Sequence, residues 1–225
     1  MEGRILFEDN HLIVINKKAG ELVQGDITGD QPLVELVKSF LKKKYNKPGA
    51  VFLGVVHRLD RPTSGVVLFA KTSKALSRLN DQFKNRIPKK TYWAIISNKF
   101  DKKKGSLTHW MTRNTKQNKS KAHSKEVQNS KLAKLHFKRV KTFDHYCLLE
   151  INLETGRHHQ IRAQLSILDF PIQGDIKYGA QRSNRDGSIS LHARHLEVQH
   201  PVTKNPMVFT ADPQRVGIWK AVLSD

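Results

Sequence analysis

Along this chain, apolar and polar positions alternate or recur in patterns that predict a strand-rich protein carrying a few amphipathic helices. The apolar stretches of Ile5 to Asn16 lie on either side of Asp9-Asn10, which predicts a hairpin. A Gly/Asp-rich loop runs from Gly20 to Pro32. Leu33, Leu36, Val37, Phe40 and Leu41 then recur at helical spacing, with Asp30 as candidate N-cap and a stop near Tyr45 to Gly49. Val51 to Val56 and Gly65 to Ala70 read as strands joined by the polar segment His57 to Ser64. Ser73 is expected to cap a second helix with Leu76, Leu79 and Phe83 inward, and Thr91 to Ser97 to form another strand.

Residues 98–130 are Lys/Ser/Asn-rich and poorly periodic, so they read as a polar basic loop or excursion with little core of its own. Strands resume at Leu135 to Val140 and Tyr146 to Leu153. Gln160 to Leu168 suits a short helix, and Leu191 to Val198 and Met207 to Thr210 complete a strand-rich C-terminal half. Without repeats, heptads or an obvious linker, the expectation for residues 1–225 is one α+β domain: a mainly antiparallel mixed β-sheet flanked by helices and loops.

Composition narrows the setting. The chain has 225 residues, 38% of them hydrophobic, which is enough for a sizeable core. No apolar run approaches the roughly 20 residues of a membrane span, and the N-terminus does not lead into a secretory segment. One cysteine, Cys147, allows neither an internal disulfide nor a cysteine zinc site. A cytoplasmic protein without membrane association is expected. Charge adds a partner: 40 Lys/Arg against 20 Asp/Glu leave +20, and residues 99–141 hold 14 Lys/Arg with two Asp/Glu. Such an excess suits nucleic acid, an anionic membrane or an acidic protein, and equally a solvated Lys-rich surface.

Two segments combine charge with turn chemistry. His57-Arg58-Leu59-Asp60-Arg61 puts one carboxylate among cations at a strand-turn-strand, and an arginine near Asp60 would lower its pKa. The same residues also fit an Asp that shapes a Pro/Gly turn or makes a surface ion pair. Glu154 to Arg162 turns through Gly156 into a short helix, where Arg157 and Arg162 suit anion recognition or simply a solvated basic face. Phosphate-loop and dinucleotide glycine patterns and a serine nucleophile elbow are absent, which disfavours nucleotide hydrolysis and nucleotide cofactors. His158-His159 and His192/His195 lack the companions of a metal motif and read as hydrogen-bonding or RNA-facing histidines.

Taken as a run, His57-Arg58-Leu59-Asp60-Arg61-Pro62-Thr63-Ser64-Gly65 resembles the H-R-L-D-R-x-T-S-G signature of the RluA family of pseudouridine synthases. Ile5 to Gly20, Lys90-Thr91-Tyr92-Trp93-Ala94, Thr155 to Arg162, and Leu191-His192-Ala193 through His200-Pro201-Val202-Thr203 resemble further family segments in the same order. The resemblance extends from about Ile5 to Phe209, the catalytic part, so the chain resembles the shorter members. It implies isomerisation of uridine to pseudouridine in structured RNA, ribosomal or transfer, using no metal or organic cofactor; a monomer is the default expectation.

Asp60 takes the place of the family's essential aspartate, Tyr92 of its base-stacking tyrosine, and Arg162 of the basic residue that pairs with the aspartate. Ile161 matches an apolar residue packed on the target base, and Arg58 an arginine that can fill the space of a flipped nucleotide. Arg61, Arg157, His159 and Gln160, from the same motifs, are expected to contact RNA. Lys18 replaces the proline usual in the opening loop, and Pro62 stands where many relatives carry an acidic residue. The competing expectations are an inactive RNA-binding or ribosome-assembly factor, disfavoured by the intact Asp60, Tyr92 and Arg162, and a metal-dependent nuclease, for which clustered carboxylates are missing.

Overall fold

The computed structural model describes residues 1–224. Its elements in chain order are β1 (Ile5–Glu8), β2 (Leu12–Lys17), α1 (Leu33–Lys44), β3 (Gly54–Val55), β4 (Ser64–Ala70), α2 (Ser73–Lys84) and β5 (Lys89–Ser97). They continue with β6 (Lys104–Asn114), β7 (Lys119–His123), β8 (Lys131–Thr142), β9 (Tyr146–Leu153), α3 (Gln160–Ser166), β10 (Leu191–Gln199), β11 (Pro206–Thr210) and α4 (Trp219–Val222). Sheets with a few helices make this an α+β fold. The chain forms two compact units, Met1–Lys89 with Ala193–Pro213, and Lys90–His192 with the segment beginning at Gln214.

In the first unit the strand order is β1-β2-β4-β10, with β11 on β10 and β3 on β4. The expected hairpin is present, β1 antiparallel to β2, and β2 runs antiparallel to β4 from Leu12↔Ala70 to Lys17↔Gly65. Every residue of β4 is buried, which accounts for its unbroken apolar run. Leu12, Val14, Val66 and Leu68 meet Ala75 and Leu79 of α2 in one core. Gly65 carries φ +119°, and a Cβ there would lie 2.3 Å from the Ala193 carbonyl oxygen, so β10 approaches too closely for any side chain.

Two caps differ from expectation. Asp30 does not cap α1. Pro32 holds that position, and the Asp30 carboxylate takes Arg61 Nη2 at 2.7 Å. On α2 the cap is Thr72, whose Oγ1 accepts from the Ala75 amide at 3.1 Å, one residue before the expected Ser73. The strand expected across Val51 to Val56 shortens to Gly54–Val55.

In the second unit the order is β5-β9-β8-β6-β7, and all four pairings are antiparallel. The largest departure lies here, because much of the stretch expected as loop or excursion is β6 and β7. Leu107, Met111 and Ala122 point inward and are buried, whereas the opposite face carries Lys104, Ser106, Thr108 and Lys121. With one face so polar and only two large apolar residues in β6 facing in, the period-two signal is too dilute to read along the chain. Ile161 and Leu165 of α3 pack on Leu107, Leu135, Phe137 and Ile151 of this sheet. No helix among the described residues is long and apolar enough to cross a membrane.

Candidate active site

The residues singled out in the sequence fall in both units, Arg58, Asp60 and Arg61 in the first and Tyr92, Arg157, His159, Gln160, Ile161 and Arg162 in the second.

Asp60 sits in the turn between β3 and β4, with its backbone carbonyl accepting from the Thr63 amide at 3.0 Å. Beneath that turn lies Lys17, with no exposed surface, at the end of β2. Its Nζ donates to the carbonyls of Thr63 (2.6 Å), Lys18 (3.1 Å), Arg61 (3.1 Å) and Asp60 (3.3 Å). One ammonium thereby ties together the backbone of the Asp60 turn, adding a charged donor to carbonyls of which those of Asp60 and Arg61 also accept from the Thr63 and Gly20 amides. Burial lowers the Lys17 pKa to about 8, against the opposing pull of Glu21 and Asp60. The sequence offered Lys17 only as part of the opening motif. Its role depends on the β2–β4 register, which brings Lys17 opposite Gly65.

The arginines flanking Asp60 are exposed. Arg61 is anchored to the loop before α1, its Nε donating to the Gly20 carbonyl at 3.1 Å and its Nη2 pairing with Asp30. Arg58 projects outward beside Leu59, which is buried.

In the second unit Tyr92 lies on β5 opposite Ile151 and packs against the same core that buries Ile161. The turn before α3 is built by Gln160, which is 3% exposed. Its Oε1 accepts from Thr155 Oγ1 (2.8 Å) and the Arg157 amide (3.0 Å), and its Nε2 donates to the Lys134 carbonyl (3.0 Å). Gln160, expected to contact RNA, makes these internal bonds, which fix the turn. Arg157 leans on β8, its Nε donating to the Leu132 carbonyl at 3.0 Å. Gly156 lets Lys90 approach, since a Cβ at Gly156 would lie 2.9 Å from Lys90 Nζ, and burial lowers the Lys90 pKa.

Arg162 is 5% exposed and makes a two-pronged ion pair with Asp175, which is 1% exposed: Nε to Oδ2 at 2.7 Å and Nη2 to Oδ1 at 2.9 Å. Its guanidinium also packs on Tyr178, 4.9 Å from Cζ to the ring centre. The Tyr178 hydroxyl accepts from the Ser120 amide (2.8 Å) and lies 2.8 Å from His159 Nδ1. Sequence reading missed Asp175 and Tyr178. The available signal was Gly174-Asp175-x-x-Tyr178-Gly179, whose glycines both have positive φ.

His159 is 8% exposed, takes the left-handed conformation (φ 53°) just before α3, and stacks on His158 at 3.8 Å. His159, expected to contact RNA, is thus largely enclosed in the folded chain. Burial, reinforced by Arg162 and His158, drives its pKa from 6.5 to about 2, so the folded protein keeps it neutral. The unfolded chain takes up a proton as pH falls through 6.5 whereas the folded one does not, so this group removes stability progressively below pH 6.5. In denaturant titrations, His159→Gln is expected to lose less stability than wild type between about pH 6.5 and 4.5. Parallel curves would show that this imidazole does not contribute. Among the described residues, no three His, Cys, Asp or Glu side chains form a metal-binding group.

Residues 11–167 match the RNA pseudouridylate synthase family model, and the chain belongs to this family, in its RluA branch. It is 31% identical to the uncharacterized RNA pseudouridine synthase YlyB of Bacillus subtilis over 94% of this chain and 69% of that one. It is 35% identical to the ribosomal large subunit pseudouridine synthase D of Borreliella burgdorferi over 86% and 60%. The tRNA pseudouridine synthase C of Vibrio cholerae is 33% identical over 98% of this chain and 94% of its own length. The chain thus spans 60 to 69% of the length of the first two relatives. Among solved structures, human RNA pseudouridylate synthase domain containing 4 shares the fold with TM-score 0.80 and 23% identity, over 95% of this chain and 90% of that one.

Proposed function

We propose that this protein isomerises uridine to pseudouridine in structured RNA, ribosomal or transfer, in the cytoplasm. Asp60 serves as the reacting carboxylate, Tyr92 as the base-stacking ring and Arg162 as the cation of the site. The observation that carries this reading is the family's Asp60 motif, complete from His57 to Gly65, with its turn fastened from below by Lys17.

The reaction breaks the C1′–N1 bond and forms C1′–C5, while the proton on C5 is lost and N1 gains one, so nothing is consumed. A single carboxylate suits it. Glycosidases need a second acid to protonate a sugar leaving group, whereas departing uracil spreads negative charge over its carbonyls. The base must be taken out of its stack to be reached, which suits a planar arginine such as Arg58 in the space it leaves.

The test is incubation of the protein with total RNA from a strain lacking it, without added metal, followed by pseudouridine mapping at nucleotide resolution. New pseudouridine at defined positions is expected. RNA that is bound but never modified would favour the binding-factor reading.

A further inference from the structure

Outside the residues assigned above, the second unit holds a cleft of about 560 Å³ between the β6–β7 hairpin and α3. Its walls include Asn114, Gln117, Lys119, Lys121, Ser166 and Tyr178, and no lining residue is a carboxylate. The hairpin from Arg113 to His123 adds Arg113 and Lys116 and has no Asp or Glu. The buried carboxylate of this region, Asp175, is engaged with Arg162.

This volume lies within the roughly 300–1,000 Å³ of small-molecule sites. Its lining suits a nucleotide: two lysines for a phosphate, side-chain amides and a hydroxyl for a base edge or ribose, and an aromatic wall. The wall is fixed in place. Tyr178 is held to β7 through Ser120, and Lys119 Nζ lies 5.2 Å from the ring centre. The hairpin end is also braced, with Asn114 Oδ1 accepting from the Gln117 amide and Lys177 Nζ donating to the Gln117 and Asn118 carbonyls. A rigid concave site costs a ligand less ordering than a mobile lysine tail would.

We infer that this cleft binds one unstacked nucleotide of the RNA, its phosphate on Lys119 and Lys121 and its base or ribose among Asn114, Gln117 and Ser166. Single-stranded RNA is favoured over duplex because splayed nucleotides present both an edge and a phosphate to such a pocket. The inference rests on RNA being the substrate and adds a binding position apart from the reacting uridine. Because Tyr178 also packs on Arg162, the cleft wall and the Arg162 side chain form one packed group.

The test uses the full chain with Asp60→Asn and a short fluorescein-labelled, single-stranded oligoribonucleotide carrying 4-thiouridine. Lys119→Gln/Lys121→Gln should weaken binding about tenfold and lower the salt slope by about 0.7 per lysine. Removing the same charge at exposed Lys42 and Lys43 of α1 should change affinity by less than about twofold. Irradiation should cross-link the RNA to peptides spanning residues 112–122 or 163–178, a readout that needs no variant. Equal losses for the two lysine pairs, or cross-links confined to other peptides, would overturn the inference. Pseudouridine mapping with wild type separates the two ideas: cleft cross-links without any modified uridine sink the enzymatic reading alone, and modified uridine without cleft cross-links sinks the cleft alone.

Discussion

Asp60→Asn is expected to lower pseudouridine formation by on the order of 10⁴-fold while RNA binding stays within about threefold of wild type. The asymmetry follows from where the residue sits. Its backbone carbonyl, held by Lys17 Nζ and the Thr63 amide, is the same group in asparagine, so the turn keeps its shape. An amide, however, can neither attack carbon nor accept a proton as a carboxylate does, so a step that requires either is lost. Removing this carboxylate also withdraws one of the two negative charges that hold Lys17 protonated, leaving Glu21 as the remaining one. Single-turnover measurements at saturating RNA check the chemistry, and a gel or anisotropy titration checks binding. Equal rates for the two proteins would remove Asp60 from the reaction.

Asp175→Ala is expected to cost about 3–5 kcal/mol, because it removes a partner from a buried arginine. Asp175 supplies both oxygens of a two-pronged pair to Arg162, and both residues are almost fully enclosed. The loss should appear as a lower denaturant midpoint with little change in slope. Below the melting transition the variant should still be a poor enzyme, at least about 100-fold slower, since the guanidinium loses the carboxylate that orients it. A variant as stable as wild type would mean that Asp175 does not compensate the buried charge. Because Asp175→Asn keeps one acceptor oxygen, it should fall between the two.

How much could be read along the chain depended on whether the signal was local. The β1–β2 hairpin, the buried strand β4 and the amphipathic helices α1 and α2 announce themselves through apolar spacing over a few neighbouring residues. Strands β6 and β7 did not, because half of each faces solvent with lysines and small polar residues and the inward half is sparse. The Asp60 motif stood out because its charged and turn-forming residues are consecutive. The Arg162–Asp175 pair and the Tyr178–Ser120–His159 links did not, since their partners are 13 to 58 residues apart. Gln160 shows the converse: its motif position suggested RNA, and the bonds from its amide to Thr155, Arg157 and Lys134 became visible only in the fold.

The sequence by itself determined the family, the motif that carries Asp60, the positions of Tyr92 and Arg162, and a basic excess concentrated between residues 99 and 141. These are consecutive patterns and counts, so no folding is needed to see them. Tertiary structure alone decided that a buried lysine fastens the Asp60 turn, that Asp175 and Tyr178 position Arg162, and that the lysine-rich stretch contains a braced hairpin whose turn end borders a cleft against α3. Each of these depends on strand register or on the docking of a helix against a sheet. Those contacts join groups distant along the chain, whose energies come from burial and from hydrogen bonds made away from water.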